Sequence, residues 1–223
     1  MAAIRRPRQQ TMNSLLRTGL GLTTVLAFLC LSGCISTKVT SFTDPAFTTY
    51  KATSVVVQAA GNDLEISGAL EDRIVTALEA HGVRACRALD LFPPTRQLSA
   101  SEMLAVMQTN GFSSYLSVRP LLGTPESEIT SYQTTTSGSA YTVGGYTYGH
   151  SRARTVPQVS SSRHSTCLAS LLDLTSGATV WLGTTRTAAS GGLYMADITT
   201  LSSISSQVVK KLAEDGLIPE LMR

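Results

Sequence analysis

The stretch that decides the fold class is TSVVVQA at residues 53–59, followed by DLEISGALEDRIVTALEAHG at residues 63–82. The first part is a short apolar run with three consecutive valines, which predicts a strand covered on both faces. The second part places four apolar residues at intervals of four: Ile66, Leu70, Ile74 and Leu78. This spacing predicts an amphipathic helix that Asn62 or Asp63 can cap and that Gly82 ends.

The alternation of strand and helix continues downstream. Residues 83–91 mix apolar and charged side chains, which suits a strand nearer the sheet edge. Ser99 and Glu102 have the spacing of a capping box ahead of a short helix, and residues 112–122 form the next apolar strand. The order strand, helix, strand, helix, strand favours an α/β layer with right-handed crossovers.

The C-terminal part predicts a hairpin and a helix. Residues 166–174 and 178–188 are apolar strands joined by a three-residue connection in which Gly177 can take a positive φ. After them, four apolar residues recur at helical spacing: Leu201, Ile204, Val208 and Leu212. Asp197 can cap this helix and Gly216 can end it.

Residues 123–162 interrupt the pattern because Ser, Thr, Gly and Tyr dominate them. A hairpin turning at Gly144-Gly145 and a disordered loop are both compatible with this composition. We favour a mobile excursion, since a structureless stretch of this length is uncommon inside a compact domain.

These elements predict an α/β fold in which helices pack on a single mixed sheet of about five strands. Residues 52–122 form the first part of the domain, and residues 163–223 complete it. The Ser- and Thr-rich residues 34–51 are expected to be a tether whose end can pair as an edge strand.

The N-terminal segment has the organisation of a secretory signal. Four arginines and no acidic residue occur in residues 1–17, and residues 18–33 carry no charge. The alternative is a permanent membrane anchor, but a span needs about 20 apolar residues, and this run is shorter and contains threonines and glycines. We therefore predict that residues 1–33 are removed as a signal peptide.

The apolar run ends in Leu31-Ser32-Gly33-Cys34, which resembles the lipobox of bacterial lipoproteins. The resemblance implies a diacylglycerol thioether on Cys34, cleavage before this residue, and acylation, for example with palmitate, of the new amino group. Several acyl chains anchor a protein stably where one would be marginal. Ile35 stands where an aspartate resembles an inner-membrane retention signal, so we expect the outer membrane, on its periplasmic side, rather than the inner membrane.

Cleavage before Cys34 changes the charge balance of the protein. Four of the 18 basic residues and none of the 15 acidic residues precede Cys34, so the mature chain has a net charge of −1. Nucleic-acid binding depends mostly on neutralised phosphates. A nucleic-acid partner is therefore not expected.

The sequence offers little catalytic chemistry. It has three histidines, and the two cysteines of the mature domain, Cys86 and Cys167, lack the neighbours of a zinc site; they could pair in an oxidising compartment. The adjacent carboxylates Glu71-Asp72 and Glu214-Asp215 are interpreted as solvated helix faces. No serine-hydrolase elbow or phosphate-binding glycine loop is present. We predict no catalytic residue, no cofactor, no metal and no enzymatic activity.

The excursion holds the side chains best suited to contact a partner. Three tyrosines offer amphipathic contact area, namely Tyr141, Tyr146 and Tyr148, and three arginines offer planar donors, namely Arg152, Arg154 and Arg163. Tyrosine and arginine are over-represented among interface anchors. The alternative is a solvated loop that binds nothing.

Residues 172–181, LDLTSGATVW, resemble a hairpin of envelope lipoproteins related to the amino-terminal domain of TolB, including the curli-secretion lipoprotein. The resemblance implies a small α/β domain that meets other envelope proteins and has no catalytic centre. We therefore expect a lipid-anchored binding or assembly module of the cell envelope with a protein partner. The alternatives are an envelope hydrolase acting on glycan or peptide, and a carrier of lipid or another small ligand.

Overall fold

A computed structural model describes residues 35–61, 63–190 and 196–221 of the chain. The strands are β1 (Ile35–Thr43), β2 (Ser54–Ala59), β3 (Arg84–Arg87), β4 (Ser114–Leu121), β5 (Glu126–Val143), β6 (Tyr146–Asp173) and β7 (Thr179–Ser190). The α-helices are α1 (Leu64–Ala80), α2 (Ala88–Leu91), α3 (Ala100–Thr109) and α4 (Asp197–Glu214), and Pro45–Phe47 forms a short 3₁₀ turn.

All seven strands belong to one mixed sheet. Its order is β1-β7-β6-β4-β2-β3, and β5 pairs with β6 off this path. β2 is parallel to β3 and β4, whereas the remaining pairs are antiparallel. The α/β class and the single mixed sheet are thus confirmed, with two strands more than the expected five.

The main core lies between one face of the sheet and the helices α1 and α4. Its fully buried residues come from both layers and include Val57, Leu70, Ile74, Leu116, Ile204 and Val208. A smaller cluster around Val56, Met107 and Phe112 lies under α2 and α3 on the opposite face. On that opposite face, alternate residues of β1, β7 and β6 are exposed or half-buried.

The local signals at the helix ends are largely confirmed. The Asp63 side chain accepts hydrogen bonds from Glu65 N and Ile66 N at the start of α1, and Gly82 after its end has a φ of 75°. The capping box of Ser99 and Glu102 is present in full. The cap predicted for α4 is wrong, because Asp197 is the first helical residue and Ala196 precedes it without a side-chain hydrogen bond.

Three segments differ from the expectation or decide between its alternatives. The strand predicted for residues 83–91 stops at Arg87, and Ala88–Leu91 is one helical turn. The expected tether contributes β1, which pairs with β7 at the edge of the sheet. The excursion forms the hairpin of β5 and β6 rather than a loop, and it turns at Gly144-Gly145, whose φ values are 60° and 83°.

The Asp215 carboxylate connects the two strands at one edge of the sheet, β1 and β7, to the last helix. Its Oδ2 atom accepts hydrogen bonds from Trp181 Nε1 of β7 at 2.8 Å and from Ser41 Oγ of β1 at 2.6 Å. Its Oδ1 atom lies 2.9 Å from Lys211 Nζ of α4. Burial alone would raise the pKa of Asp215, but these three partners hold the pKa below its usual value.

We predict that Asp215→Asn lowers the free energy of unfolding at pH 7 by about 1–2 kcal/mol, because charged hydrogen-bond acceptors are worth more than neutral ones. A carboxyl group whose pKa is lowered by folding stabilises the protein above its unfolded pKa and loses this effect as the pH falls. The difference between variant and parent should therefore shrink as the pH drops below about 4.

Urea unfolding at pH 7 and pH 3 measures this effect. Glu214→Gln is the control, since Glu214 is half exposed and, among the residues that the structure describes, forms ion pairs only with lysines on its own helix. Equal stability of parent and Asp215→Asn at pH 7 would contradict the prediction.

Candidate interaction surface

The most prominent feature outside the core is the hairpin of β5 and β6. Every residue of β5 is exposed, and so are the first 15 residues of β6. At about 3.3 Å per residue, this part of the hairpin extends on the order of 50 Å from the sheet. Only the second part of β6, from Arg163 onward, contributes buried side chains to the domain.

The strand register places the five predicted contact residues on one face of the hairpin. Tyr141 lies directly opposite Tyr148, and Tyr146 lies opposite Val143 beside the turn. Arg152 and Arg154 follow at alternate positions of β6, opposite Ser137 and Thr135. Side chains at alternate positions of a strand point to the same face. We call this set the Tyr/Arg face.

The aromatic end of the Tyr/Arg face is ordered by its own contacts but stays open to solvent. The rings of Tyr141 and Tyr148 are stacked, with centroids 5.6 Å apart and planes inclined by 24°. Tyr141, Tyr146 and Tyr148 are 59%, 72% and 54% exposed. Because tyrosine combines a large apolar ring with a polar end, such a cluster is suited to protein contacts.

The charges of the hairpin are segregated along its length. No acidic residue occurs between Glu128 and Asp173 in the sequence, so Arg152 and Arg154 face no carboxylate on the outer half. Glu126 and Glu128 lie at the base of the same face, opposite Ser162 and Ser160. The outer half is therefore positive and the base negative.

The other face of the hairpin has a different chemistry. Thr134 and Thr142 of β5 form hydroxyl hydrogen bonds with Thr155 and Thr147 of β6, at 2.9 and 3.1 Å. Small residues fill most positions between them. Tyr132, opposite Pro157, is the hairpin tyrosine that lies on this second face.

Arg163 does not belong to the Tyr/Arg face, contrary to its proposed role as an exposed donor. Its side chain is 7% exposed and points towards the helices. Its Nε atom donates to the carbonyl oxygen of Gly123 at 2.6 Å, and its guanidinium forms an ion pair with Asp197. This residue fastens the base of the hairpin to the first turn of α4.

Glu71 and Asp215 are the carboxylates that the sequence interpretation placed wrongly. Asp215 follows the end of α4, its side chain is 17% exposed, and it is bonded to β1 and β7. Glu71 is more deeply buried. Its carboxylate is 1% exposed, whereas a solvated helix face was expected. Its two oxygens accept hydrogen bonds from Ala59 N at 2.9 Å and from Leu89 N at 3.2 Å. The signal was available, because Glu71 precedes Ile74 by three residues and therefore shares the apolar stripe of α1.

Burial raises the pKa of Glu71, although the two backbone N–H donors lower it in part. A buried carboxyl group with a raised pKa is a feature of some hydrolase active sites. Here both carboxylate oxygens are occupied by the backbone, so the group connects the end of β2 to the start of α2.

The remaining candidate groups are dispersed. His81 Nδ1 lies 2.8 Å from the carbonyl oxygen of Pro219. Cys86 and Cys167 are free thiols in core clusters on opposite faces of the sheet, and burial raises the pKa of Cys167 to about 12. Within the described ranges, no group of three or more potential metal ligands occurs, and no helix has the length and apolarity to span a membrane.

Cys34 lies outside the described residues, but the next residue, Ile35, shows at which end of the sheet the chain enters β1. Ile35 begins β1 and pairs with Ala189 of β7, which in turn pairs with Arg163 of β6. β1 and this part of β6 run in the same direction, because both are antiparallel to β7. The hairpin therefore leaves the sheet at the end where the chain arrives from Cys34.

Comparison with known proteins gives structural matches only. No protein-family model matches the chain, and no curated protein matches it. A PelC dodecamer from Paraburkholderia phytofirmans is 14% identical, with 83% of this chain and 100% of that chain covered and a TM-score of 0.41. The lipoprotein GNA1162 from Neisseria meningitidis is 16% identical, with 73% and 99% covered and a TM-score of 0.39.

We predict that Glu71→Ala lowers the free energy of unfolding by about 2–3 kcal/mol, because it leaves two backbone N–H groups without their acceptor. The neighbouring Asp72→Ala is the matched control: the Asp72 side chain is 69% exposed, so its removal should change stability by less than about 0.5 kcal/mol. Chemical denaturation of both variants makes the comparison. Similar values for the two variants would contradict the structural role of Glu71.

Proposed function

We propose that this chain is a lipid-anchored, periplasm-facing module of the bacterial cell envelope that binds another envelope protein and performs no catalysis. The observation that carries the proposal is the grouping of Tyr141, Tyr146, Tyr148, Arg152 and Arg154 on one exposed face of a projecting hairpin. These residue types are the ones that most often anchor protein interfaces.

The physical state of the hairpin supports a contact role. Two-stranded hairpins without a core are marginally stable in water. In the described part of the chain, β5 pairs only with β6, so its outer edge carries free N–H and C=O groups along its whole length. Edges of this kind are usually covered or paired by another chain. A partner would stabilise the hairpin as well as bind it.

The anchor part of the proposal rests on the sequence before Ile35. The basic start, the uncharged run of residues 18–33 and the lipobox-like Leu31-Ser32-Gly33-Cys34 support signal removal and lipidation at Cys34. Ile35 in the position after Cys34 supports delivery to the outer membrane.

A hydrolase has less support than a binding module. The carboxylate with the most unusual environment, Glu71, is engaged by the backbone on both oxygens. A lipid or small-ligand carrier would need a cavity between sheet and helices, where large fully buried side chains such as Leu70, Ile204 and Trp181 are packed. We therefore favour the binding function over both alternatives.

Shortening the hairpin should abolish partner capture. Replacing residues 135–154 by Gly-Gly keeps the pair of Thr134 and Thr155 and removes all five contact residues. We expect mild crosslinking in the native envelope, followed by mass spectrometry, to lose a protein that the parent captures. Capture of the same proteins by the shortened form would contradict the role of the hairpin.

Point variants separate the two faces of the hairpin. We predict that Tyr141→Ser lowers capture of the partner by about fivefold or more, as expected for loss of an aromatic interface anchor. Tyr132→Ser is the matched control, since Tyr132 is a similarly exposed tyrosine of the same strand on the opposite face. Equal effects of the two substitutions on partner capture would contradict the assignment of the Tyr/Arg face as the partner-binding face.

The lipid site has an equally direct test. We predict that Cys34→Ala abolishes incorporation of labelled palmitate, because the thiol that receives the diacylglycerol is removed. Cys30→Ala, four residues earlier in the apolar run, should incorporate the label normally. Labelling that survives in Cys34→Ala, or that is lost in Cys30→Ala, would contradict the assignment of Cys34.

A further inference from the structure

The sheet carries a second exposed surface, which lies on the same side of β6 as the Tyr/Arg face but within the sheet rather than on the hairpin. We define the open face as the side of β1, β7, β6 and the end of β4 that points away from α1 and α4. On β1 and β7, alternate residues are exposed or half-buried on this side, while the residues between them point towards the helices. α2 and α3 pack on the same side, but on the strands near the β3 edge.

One part of the open face is apolar. Phe42 of β1 lies directly opposite Leu182 of β7, and these side chains are 63% and 51% exposed. Leu168 of β6 is 46% exposed. It lies diagonally next to Leu182, because it pairs with Thr184, two residues after Leu182 on β7. Three large apolar side chains grouped in this way indicate a contact surface rather than a solvated one.

Another part of the open face is strongly basic. Lys38 and Arg186 lie directly opposite each other on β1 and β7, and Arg119 of β4 lies opposite Leu168. Like charges at directly paired positions destabilise a sheet unless an anion lies between them. Within the described ranges, none of these three side chains forms an ion pair with a carboxylate.

The acidic residues on this side of the sheet lie at the margins of the open face. Asp90 and Glu102 belong to α2 and α3 near the β3 edge, and Glu126 and Glu128 lie at the base of the hairpin. Glu126 pairs with Ser162, which lies beside Ser190 at the end of β7, and Glu128 pairs with Ser160, further out along the hairpin. His164 is the titratable residue of β6 on the open face, opposite Ala188. The open face thus combines exposed apolar groups with an excess of positive charge.

The open face also lies next to the proposed lipid anchor. Lys38 is four residues after Cys34 in the sequence, which corresponds to at most about 14 Å of extended chain. Phospholipid phosphates lie at the surface where acyl chains enter the bilayer. Basic residues this close to a bilayer are attracted to anionic headgroups, and exposed aromatic and aliphatic side chains enter the headgroup region.

We propose that the open face lies on the anionic lipid surface of the membrane that holds the protein. Lys38, Arg119 and Arg186 contact the phosphates, while Phe42, Leu168 and Leu182 enter the headgroup region. A second copy of this chain fits the face poorly, because stacking two open faces would bring two sets of three cations together. The inference rests on the proposed lipidation of Cys34, but not on the hairpin or its partner.

Acetylation of lysines by a water-soluble reagent, read by mass spectrometry, tests the proposal on the intact lipoprotein. The protein is reconstituted into vesicles of phosphatidylethanolamine and phosphatidylglycerol, or of phosphatidylcholine alone. We expect Lys38 to react about threefold or more slowly in the anionic vesicles. Lys210 is the internal control, because it is exposed on α4, on the other side of the sheet. Equal reactivity of Lys38 in both vesicles would overturn the proposal.

Charge reversal on the open face gives the matched test. The double variant Arg119→Glu/Arg186→Glu should restore the reactivity of Lys38 in anionic vesicles. Arg73→Glu/Lys210→Glu changes the net charge equally at positions on α1 and α4, on the other side of the sheet, and should leave Lys38 protected. If Lys38 remained protected in Arg119→Glu/Arg186→Glu, the lipid assignment would be wrong. If Lys38 were protected in native envelopes but not in lipid vesicles, the assignment would also be wrong, and a protein would be the occupant of the open face.

The intact mass of the purified protein shows whether Cys34 carries lipid, so it tests the proposed anchor independently of the proposed contact between the open face and the membrane. Absence of lipid on Cys34 would refute the anchor, and the open face would then be judged by co-sedimentation of the unlipidated protein with the same vesicles. Salt-sensitive sedimentation with the anionic vesicles alone would still support the lipid contact. No sedimentation with either composition would overturn it.

Discussion

The alternation of side chains along β6 is the constraint on which the surfaces of this protein depend. β6 has 28 residues and belongs to the sheet in its second part and to the hairpin in its first. Burial of Cys167, Ala169 and Leu171 against the helix layer fixes which positions point inward. Since strands alternate with period two, the same register directs Arg152 and Arg154 to the other side. A shift of one residue would exchange the two faces of the whole hairpin.

The junction between sheet and hairpin is held by a buried cation. Arg163 is the first buried residue of β6 after its exposed hairpin part, at the margin of the surface that the helices cover. A buried charge is costly unless it is paired and hydrogen-bonded, and here Asp197 and the carbonyl oxygen of Gly123 meet that requirement. The direction in which the hairpin leaves the domain is therefore tied to the start of α4 and to the loop after β4.

The parts of the fold that were predicted correctly depend on neighbours in sequence. The stripe of α1, the capping box at Ser99 and the turn at Gly177 all involve residues a few positions apart, and each occurs as expected. The errors involve distant partners. The spacing of Glu71 to Ile74 places it on the apolar stripe of α1, but burial of its carboxylate is favourable only because Ala59 N and Leu89 N donate to it, and the spacing does not reveal these two partners. Similarly, the contact residues could be named from their types, but their common face follows from the pairing of β5 with β6.

The position of β1 also sets the order in which the domain can close. Thr37 of β1 bonds to Thr187 of β7, 150 residues later in the chain. Closing so long a loop is entropically costly and contributes to slow folding. The edge strand β1 can therefore be completed only after nearly the whole domain has been synthesised. Until β7 has formed beside β6, β1 has no strand in the sheet with which to pair.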